Sequence, residues 1–357
     1  MEIDSRSSAG QKLAFSSSVE ADIWHPKSDP KSYEWWYFDA LSDDGSEAIV
    51  IIFLDNYIYS PRYNNLRLTT SRFPAVSFTY FRDGKPLYKA VTEYPEAQFS
   101  ASETIPECRI GTSGFKADSA AYGSGYLLSV SLPLSDDRRL EAKFEWLSID
   151  SNLAAGKLDY KESPHSWNMA VPRADVTGRI EIKSKNGSVK DVRHFRGTGY
   201  HDHKTDDRWL ANTVQDWHWG RAHFADSTAV FYRYREIGDD SPSTKLLVVK
   251  NNELRERDVR FEDQNYVRDK FGIRYPTRLQ FVSEDNVRLR VKPIKVIDSS
   301  FYFLRFMSDI TLTIRDGVPR KTKGITEFLA PKTLKYRWLN WLRAVQTRKR
   351  DKDPAVR

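Results

Sequence analysis

Apolar residues in this chain fall mostly in short runs of strand length, separated by turn residues. Tyr33–Asp39 is almost continuously aromatic, and Ala48–Leu54 is an apolar run entered through Asp44-Gly45. Val76–Phe81 follows, then Asp83-Gly84, then Lys85–Val91, with Tyr126–Leu132 and Arg139–Trp146 as the next pair. Arg179–Ser184 and Val189–Phe195 flank Asn186-Gly187, the clearest hairpin signal, because Asn-Gly accepts the positive φ of a tight hairpin turn. Further strands are predicted at Ala211–Phe224, Thr228–Arg235, Thr244–Val249, Thr277–Val282, Val287–Val291, Phe301–Phe306 and Ile310–Ile314. Few helical periods intervene, so the pattern predicts an all-β fold of sandwiches or barrels.

One helix is predicted, over Thr333–Val345. Leu334, Trp338, Trp341, Leu342 and Val345 recur at helical spacing, with Thr333 as N-cap after Pro331. Residues 1–20 carry no periodicity and are expected to be disordered.

A length of 357 residues exceeds what one hydrophobic core usually serves and implies two domains. Aromatic residues make up 13% of the chain, which suits pleated surfaces. Cys108 is the single cysteine, so no intrachain disulfide forms, in keeping with a reducing compartment and a cytoplasmic location. The first twenty residues lack the apolar run of a secretory signal, and no stretch of eighteen apolar residues exists, so no helical membrane span is expected. The net charge of +7 is mostly local: Arg343, Arg348, Lys349, Arg350 and Lys352 crowd the C-terminus. Such a tail is either solvated or drawn to anionic lipid headgroups, and beside the Trp338–Trp341 stripe it suggests peripheral membrane contact. The basic residues do not concentrate beside the aromatic segments, so nucleic acid is not an expected partner.

Several chemistries lack their signatures. There is no Gly-x-Ser-x-Gly elbow, no phosphate-binding Gly-x-x-x-x-Gly-Lys-Ser/Thr loop and no Gly-x-Gly-x-x-Gly entering a helix. Three other segments stand out. They are Glu34–Asp39, then His165-Ser166-Trp167-Asn168 with Pro172-Arg173-Ala174, then Gly197–His203 with Asp216–Arg221. In a strand, residues two apart share a face. Tyr200 and Asp202 then point one way, and His201 and His203 the other. A carboxylic acid and a phenol facing an apolar cavity make a proton donor, because burial disfavours the charged carboxylate and general acid catalysis needs the protonated form. The two histidines face away from that acid, so no metal and no cofactor are expected, although His201 and His203 with His218 or His223 could supply imidazole ligands.

Taken in order, these segments resemble the carotenoid 1,2-hydratase (hydroxyneurosporene synthase) family. That family is related to AttH-like, lipocalin-type double-barrel proteins, among them lipocalin-fold Diels–Alderases. The likeness rests on Glu34-Trp35-Trp36-Tyr37-Phe38, His165-x-Trp167, Pro172-Arg173-Ala174, Gly197-x-Gly199-Tyr200-x-Asp202-His203 and Trp217-x-Trp219-Gly220-Arg221. It implies two lipocalin-like antiparallel barrels, at residues 21–170 and 171–332, with the helix and basic tail at 333–357. It implies Asp202 as proton donor to an alkene, Tyr200 as its support, and His165 and Trp167 as further catalytic residues. Trp36, Trp217, Trp219 and Glu34 would bind a hydrophobic isoprenoid or polyene. The chain departs from the family after Asp202-His203. There it has Lys204-Thr205-Asp206-Asp207 where an Asn-Trp-Gly continuation is usual, which changes the expected loop beside the acid. Each residue also has a plainer reading. Asp202 could cap a tight turn, His165 could make a structural hydrogen bond, Trp167 and Tyr200 could pack a core, and Glu34–Phe38 could build the barrel. The expected activity is a hydratase or cyclase. The alternatives are a pericyclase of secondary metabolism and a non-catalytic lipid-binding protein.

Overall fold

Two strands at the centre of the molecule, Tyr33–Ser42 and Val189–Asp206, pair antiparallel and are buried over most of their common length. The structure is a computed structural model, and it describes residues 13–64, 72–120, 123–134, 137–153, 164–336, 338–339 and 346–347. It is all-β, with two curled antiparallel half-barrel sheets of 13 and 9 strands and only short helices. The first sheet is built mainly from strands between Tyr33 and Asp206. Short parallel additions come from Ala14–Ser16, against His165–Lys183, and from Gln346–Thr347, against Lys85–Glu93. The second sheet runs from Val214 to Leu329, and its first strand, Val214–His223, pairs with its last, Arg320–Leu329.

The strand His165–Lys183 crosses the boundary expected at 170/171 and stays in the first sheet, so the change of sheet falls at 207–213, through the short helix Leu210–Thr213. That helix occupies the start of the strand predicted from Ala211. The segment after Asp202 is strand rather than a new loop, continuing to Asp206. At the C-terminus Pro331–Lys335 forms a 3-10 turn, and much of the helix expected over Thr333–Val345 lies outside the described residues.

Alternation along the central strands divides the interior into cores. Trp36, Phe38 and Ala40 face inward to the first sheet's own core, with Phe78, Phe115 and Trp146. Tyr33, Trp35 and Tyr37 face the second sheet and join Trp167, Tyr200, Trp217, Trp219 and Tyr232 in a core between the sheets. A third core lies inside the second sheet, around Phe231, Phe281 and Leu289. Gly199 is required by close packing, since a Cβ there would lie 2.7 Å from Nε1 of Trp146.

Both faces of the central pair also carry buried charge. Between the sheets, Arg221 Nε donates to Asp39 Oδ1 at 2.7 Å, with both residues buried. Inside the first sheet, His201 Nε2 lies 2.8 Å from Asp22 Oδ2, His203 Nδ1 3.2 Å from Asp22 Oδ1, and His203 Nε2 2.6 Å from Glu34 Oε1. His25 Nδ1 lies 2.9 Å from the same Glu34 oxygen, and the Tyr126 hydroxyl donates to Asp22 at 2.7 Å. At Asp22 and His203 burial works against charge, yet the opposite charges beside them prevail. Asp22 is lowered from 3.8 to about 2 by His201 and His203, and His203 is raised from 6.5 to about 9 by Glu34 and Asp22.

Two outcomes follow. Arg221→Met strands a buried carboxylate and should cost about 3–5 kcal/mol, whereas pairing it with Asp39→Leu should recover most of that loss; a double variant no more stable than Arg221→Met in urea unfolding would deny the pair its role. The second outcome concerns pH. The stability that His203 supplies is complete below 6.5 and is lost as pH rises through about 9, while that of Asp22 is complete above 3.8 and is lost as pH falls through about 2. The melting temperature should therefore decline from pH 6.5 to 9, and His203→Gln should flatten that decline.

Candidate active site

Strand alternation places Tyr200, Asp202, Lys204 and Asp206 in one row facing the second sheet, and His201 and His203 on the opposite face. The separation of the histidines from the acid is the one predicted. Asp202 is fully buried, and one of its oxygens, Oδ2, gathers three donors. The Tyr200 hydroxyl donates at 2.9 Å, the Trp167 indole Nε1 donates at 2.9 Å, and Lys204 Nζ lies at 3.3 Å. The other oxygen, Oδ1, is buried with no hydrogen-bond partner. Burial, with the Asp202 carboxyl next in weight, pushes the Tyr200 phenol well above its ordinary range, so Tyr200 acts as a donor.

Register explains how Trp167 reaches the acid. Trp167 stands opposite Lys204, and the pairing slips between Asn168 and Val171, so the indole reaches diagonally to Asp202. His165, two residues earlier on the same face, does not reach Asp202. Its Nδ1 lies 3.2 Å from Asp206 Oδ2, its Nε2 2.9 Å from the Tyr232 hydroxyl, and its ring stacks on Tyr234 at 4.5 Å. His165 thus ties the row to the second sheet.

The second sheet supplies an aromatic wall. Trp219 packs on Tyr200 at 5.2 Å between ring centres, and Tyr232 packs on Trp167 at 5.0 Å. Lys204 Nζ sits over three rings, at 5.1 Å from Tyr232, 5.5 Å from Trp219 and 5.7 Å from Trp217. Beside this wall a cavity of about 350 Å³ opens between the sheets, lined by Trp35, Tyr37, Lys204 and Trp217 and by residues of both sheets. Two ion pairs stand on its wall: Lys89 with Asp298 at 2.7 Å, and Arg305 with Glu327 at 2.7 Å. Lys204, rather than Asp202, lines the cavity.

Trp217 lines the cavity, Trp219 is outside its lining and packs on Tyr200, and neither Trp36 nor Glu34 comes to it. Both face the first sheet's core, where Trp36 stacks on His203 at 4.8 Å and Glu34 pairs with it. Trp35 and Tyr37 take the cavity side instead. Ligand atoms of His25, Glu34 and His203 lie within 4.8 Å of one another, so these three are the described residues that could hold a metal ion. They lie on the face opposite Asp202, bonded to one another and to Asp22. The sequence reading missed Lys204 as a site residue, although its spacing of two from Asp202 marks the shared face. It also missed Tyr232 and Asp206, the partners of His165, and only the alternation from Asp202 to Asp206 signalled the latter.

The family described as "Carotenoid hydratase CrtC" matches residues 150–355, more than half of the chain. Hydroxyneurosporene dehydrogenase of Chlorobaculum tepidum is 26% identical, across 93% of this chain and 91% of its own length. Acyclic carotenoid 1,2-hydratase of Thiocapsa roseopersicina is 25% identical, across 57% of this chain and 47% of its own length. The crystal structure of an AttH-type protein from Nitrosomonas europaea covers 87% of this chain and 95% of its own, with a TM-score of 0.57 and 15% identity, a likeness of fold alone. An acid held by a phenol and an indole beside an aromatic cavity lies largely within the matched segment, and the chain belongs to the carotenoid hydratase CrtC family.

Proposed function

We propose that the protein is a cofactor-independent hydratase that protonates a terminal alkene of an acyclic carotenoid or related polyene, with Asp202 as the acid. The observation that carries this reading is the asymmetry of the Asp202 carboxyl, three donors on Oδ2 and none on Oδ1. A carboxyl so held presents its proton from a fixed oxygen, as general acid catalysis requires. Protonation of an alkene bearing two methyls gives a tertiary carbocation, which the faces of Trp35 and Trp217, both on the cavity wall, can stabilise. Water capture yields a tertiary alcohol; capture by an internal alkene or hydroxyl yields a ring. Tyr200 and Trp167 hold the acid, and His165 holds Asp206 and Tyr232 in place behind them. The cavity is at the small end for a ligand pocket, so it encloses one end of a long polyene rather than its whole length.

The same reading puts the protein on the cytoplasmic face of a membrane, where such substrates reside. Trp338 is 72% exposed beside the basic C-terminal sequence. Each basic residue near an anionic bilayer contributes about 1 kcal/mol, screened by salt. Full-length protein should therefore sediment with anionic liposomes at low salt more than protein ending at residue 336, and equal partitioning would refute the contact.

The acid is tested by turnover of lycopene in deuterated water. Wild-type protein should yield a product with deuterium newly bound to carbon, with or without added chelator. Asp202→Asn should lose about 10²–10⁴-fold in rate with an unchanged melting temperature. Tyr200→Phe should cost less, about 1 kcal/mol, because it removes one supporting hydrogen bond. A stable Asp202→Asn variant with near-normal turnover removes Asp202 as the acid. Turnover without carbon-bound deuterium points instead to a pericyclase, and binding without turnover to a carrier.

A further inference from the structure

Hydration of an alkene needs a base as well as an acid, because the water that captures the carbocation must lose a proton. We propose that Lys204 is that base, a second catalytic residue working as a conjugate pair with Asp202; the inference rests on the hydratase reading above. Lys204 lines the cavity, whereas Asp202 lies behind it, with 3.3 Å between Nζ and Oδ2. Lys204 is only 4% exposed, and among the described residues Asp202 is its one ion-pair partner. The neighbouring carboxylates are engaged elsewhere: Asp206 with Arg208 and His165, Asp298 with Lys89, Glu327 with Arg305, and Asp39 with Arg221. A proton leaving Lys204 therefore has one nearby place to go. The indole Nε1 of Trp217, on the same cavity wall, is buried without a hydrogen-bond partner and offers a donor to hold a water beside the amine.

The pair closes the proton balance. An ammonium and a carboxylate hold the same number of protons as an amine and a carboxylic acid. In the second arrangement the alkene π electrons take the Asp202 proton, forming a C–H bond and leaving a tertiary carbocation and a carboxylate. A water oxygen lone pair bonds to the cation. The excess proton passes to the Lys204 amine, giving an ammonium, which returns it across the 3.3 Å gap to Asp202. The net change is alkene plus water to tertiary alcohol, with both side chains restored.

The test uses full-length protein and lycopene, with melting temperature measured for every variant. Lys204→Arg keeps a positive charge beside Asp202 but cannot give up its proton at neutral pH. It and Lys204→Met should each lose about 10²-fold or more in kcat, with KM altered by less than about threefold. Lys204→Ala should regain rate on addition of methylamine, in proportion to the free amine as pH is raised, while Asp202→Asn should regain none. Tyr200, Tyr232, His165 and the Lys89–Asp298 and Arg305–Glu327 pairs also face this region. Their titration is common to wild type and variants, so the free-amine dependence of rescue separates Lys204 from them. Near wild-type turnover by Lys204→Arg shows that charge alone matters and overturns the inference. So does a folded Lys204→Ala variant that amines do not rescue. Wild-type protein that hydrates nothing removes the hydratase reading and this inference together, whereas wild-type turnover with an unimpaired Lys204→Arg variant removes only the base.

Discussion

The central pair of strands, Tyr33–Ser42 and Val189–Asp206, has almost no solvent face where the two run together, and the rest of the molecule is arranged to satisfy that condition. A strand buried on both sides must find partners for every side chain, and alternation fixes which partner lies where. Aromatic rings fill most of the space at low entropic cost. The polar residues must be paired, because an isolated buried charge costs several kcal/mol. On the inner face the carboxylates of Asp22 and Glu34 meet His201, His203 and His25. On the outer face Asp39 meets Arg221, Asp206 meets Arg208 and Asp202 meets Lys204. A slip of one residue would exchange these sets and leave both unpaired, so the register is held by charge as well as by packing.

The second sheet follows from the same condition. The outer face of the central pair would be an exposed aromatic and ionic surface if the chain ended at Asp206. Val214–His223 and Thr228–Glu236 cover it with Trp217, Trp219, Tyr232 and Tyr234, and Tyr232 reaches back to His165. The cavity lies where that cover is incomplete, against Lys204 and Trp217. The cavity and the burial of Asp202 thus both depend on the second sheet covering the first.

Much of this was legible in the sequence, and the part that was not has a definite cause. Strand-length runs and turn pairs are local signals, so the all-β fold and the Asn186-Gly187 hairpin could be read directly. Alternation within one strand is also local, and it separated Tyr200 and Asp202 from His201 and His203 without reference to any other segment. Register between distant strands is not local. Tyr37 lies opposite Asp202, and Trp36 opposite His203. Directly opposed residues share a face, so Trp35 and Tyr37 belong to the cavity, and Trp36 and Glu34 to the inner core. Nothing in Glu34–Phe38 reveals this, because the run is apolar on both faces. The division between sheets was hidden for a similar reason. His165–Lys183 and Val189–Asp206 form a hairpin that reads as the start of a new domain, yet it pairs with a distant earlier strand, from Gly197 opposite Ser42 to Asp206 opposite Tyr33.

The pair Asp202–Lys204 is an odd choice if stability alone matters. Apolar residues of similar volume in the same place would avoid the desolvation of two ions and would be as stable or more so. Under the proposed reading the pair has a use that stability does not give it, because Nζ of Lys204 lies 3.3 Å from Oδ2 of Asp202, within reach of a proton passing between them. The rings of Trp217, Trp219 and Tyr232 stand around Nζ, but cation–π contacts contribute only about 0.5–2 kcal/mol. That is small beside the desolvation of two buried ions, which amounts to several kcal/mol per ion, so packing alone does not account for an ion pair at this place.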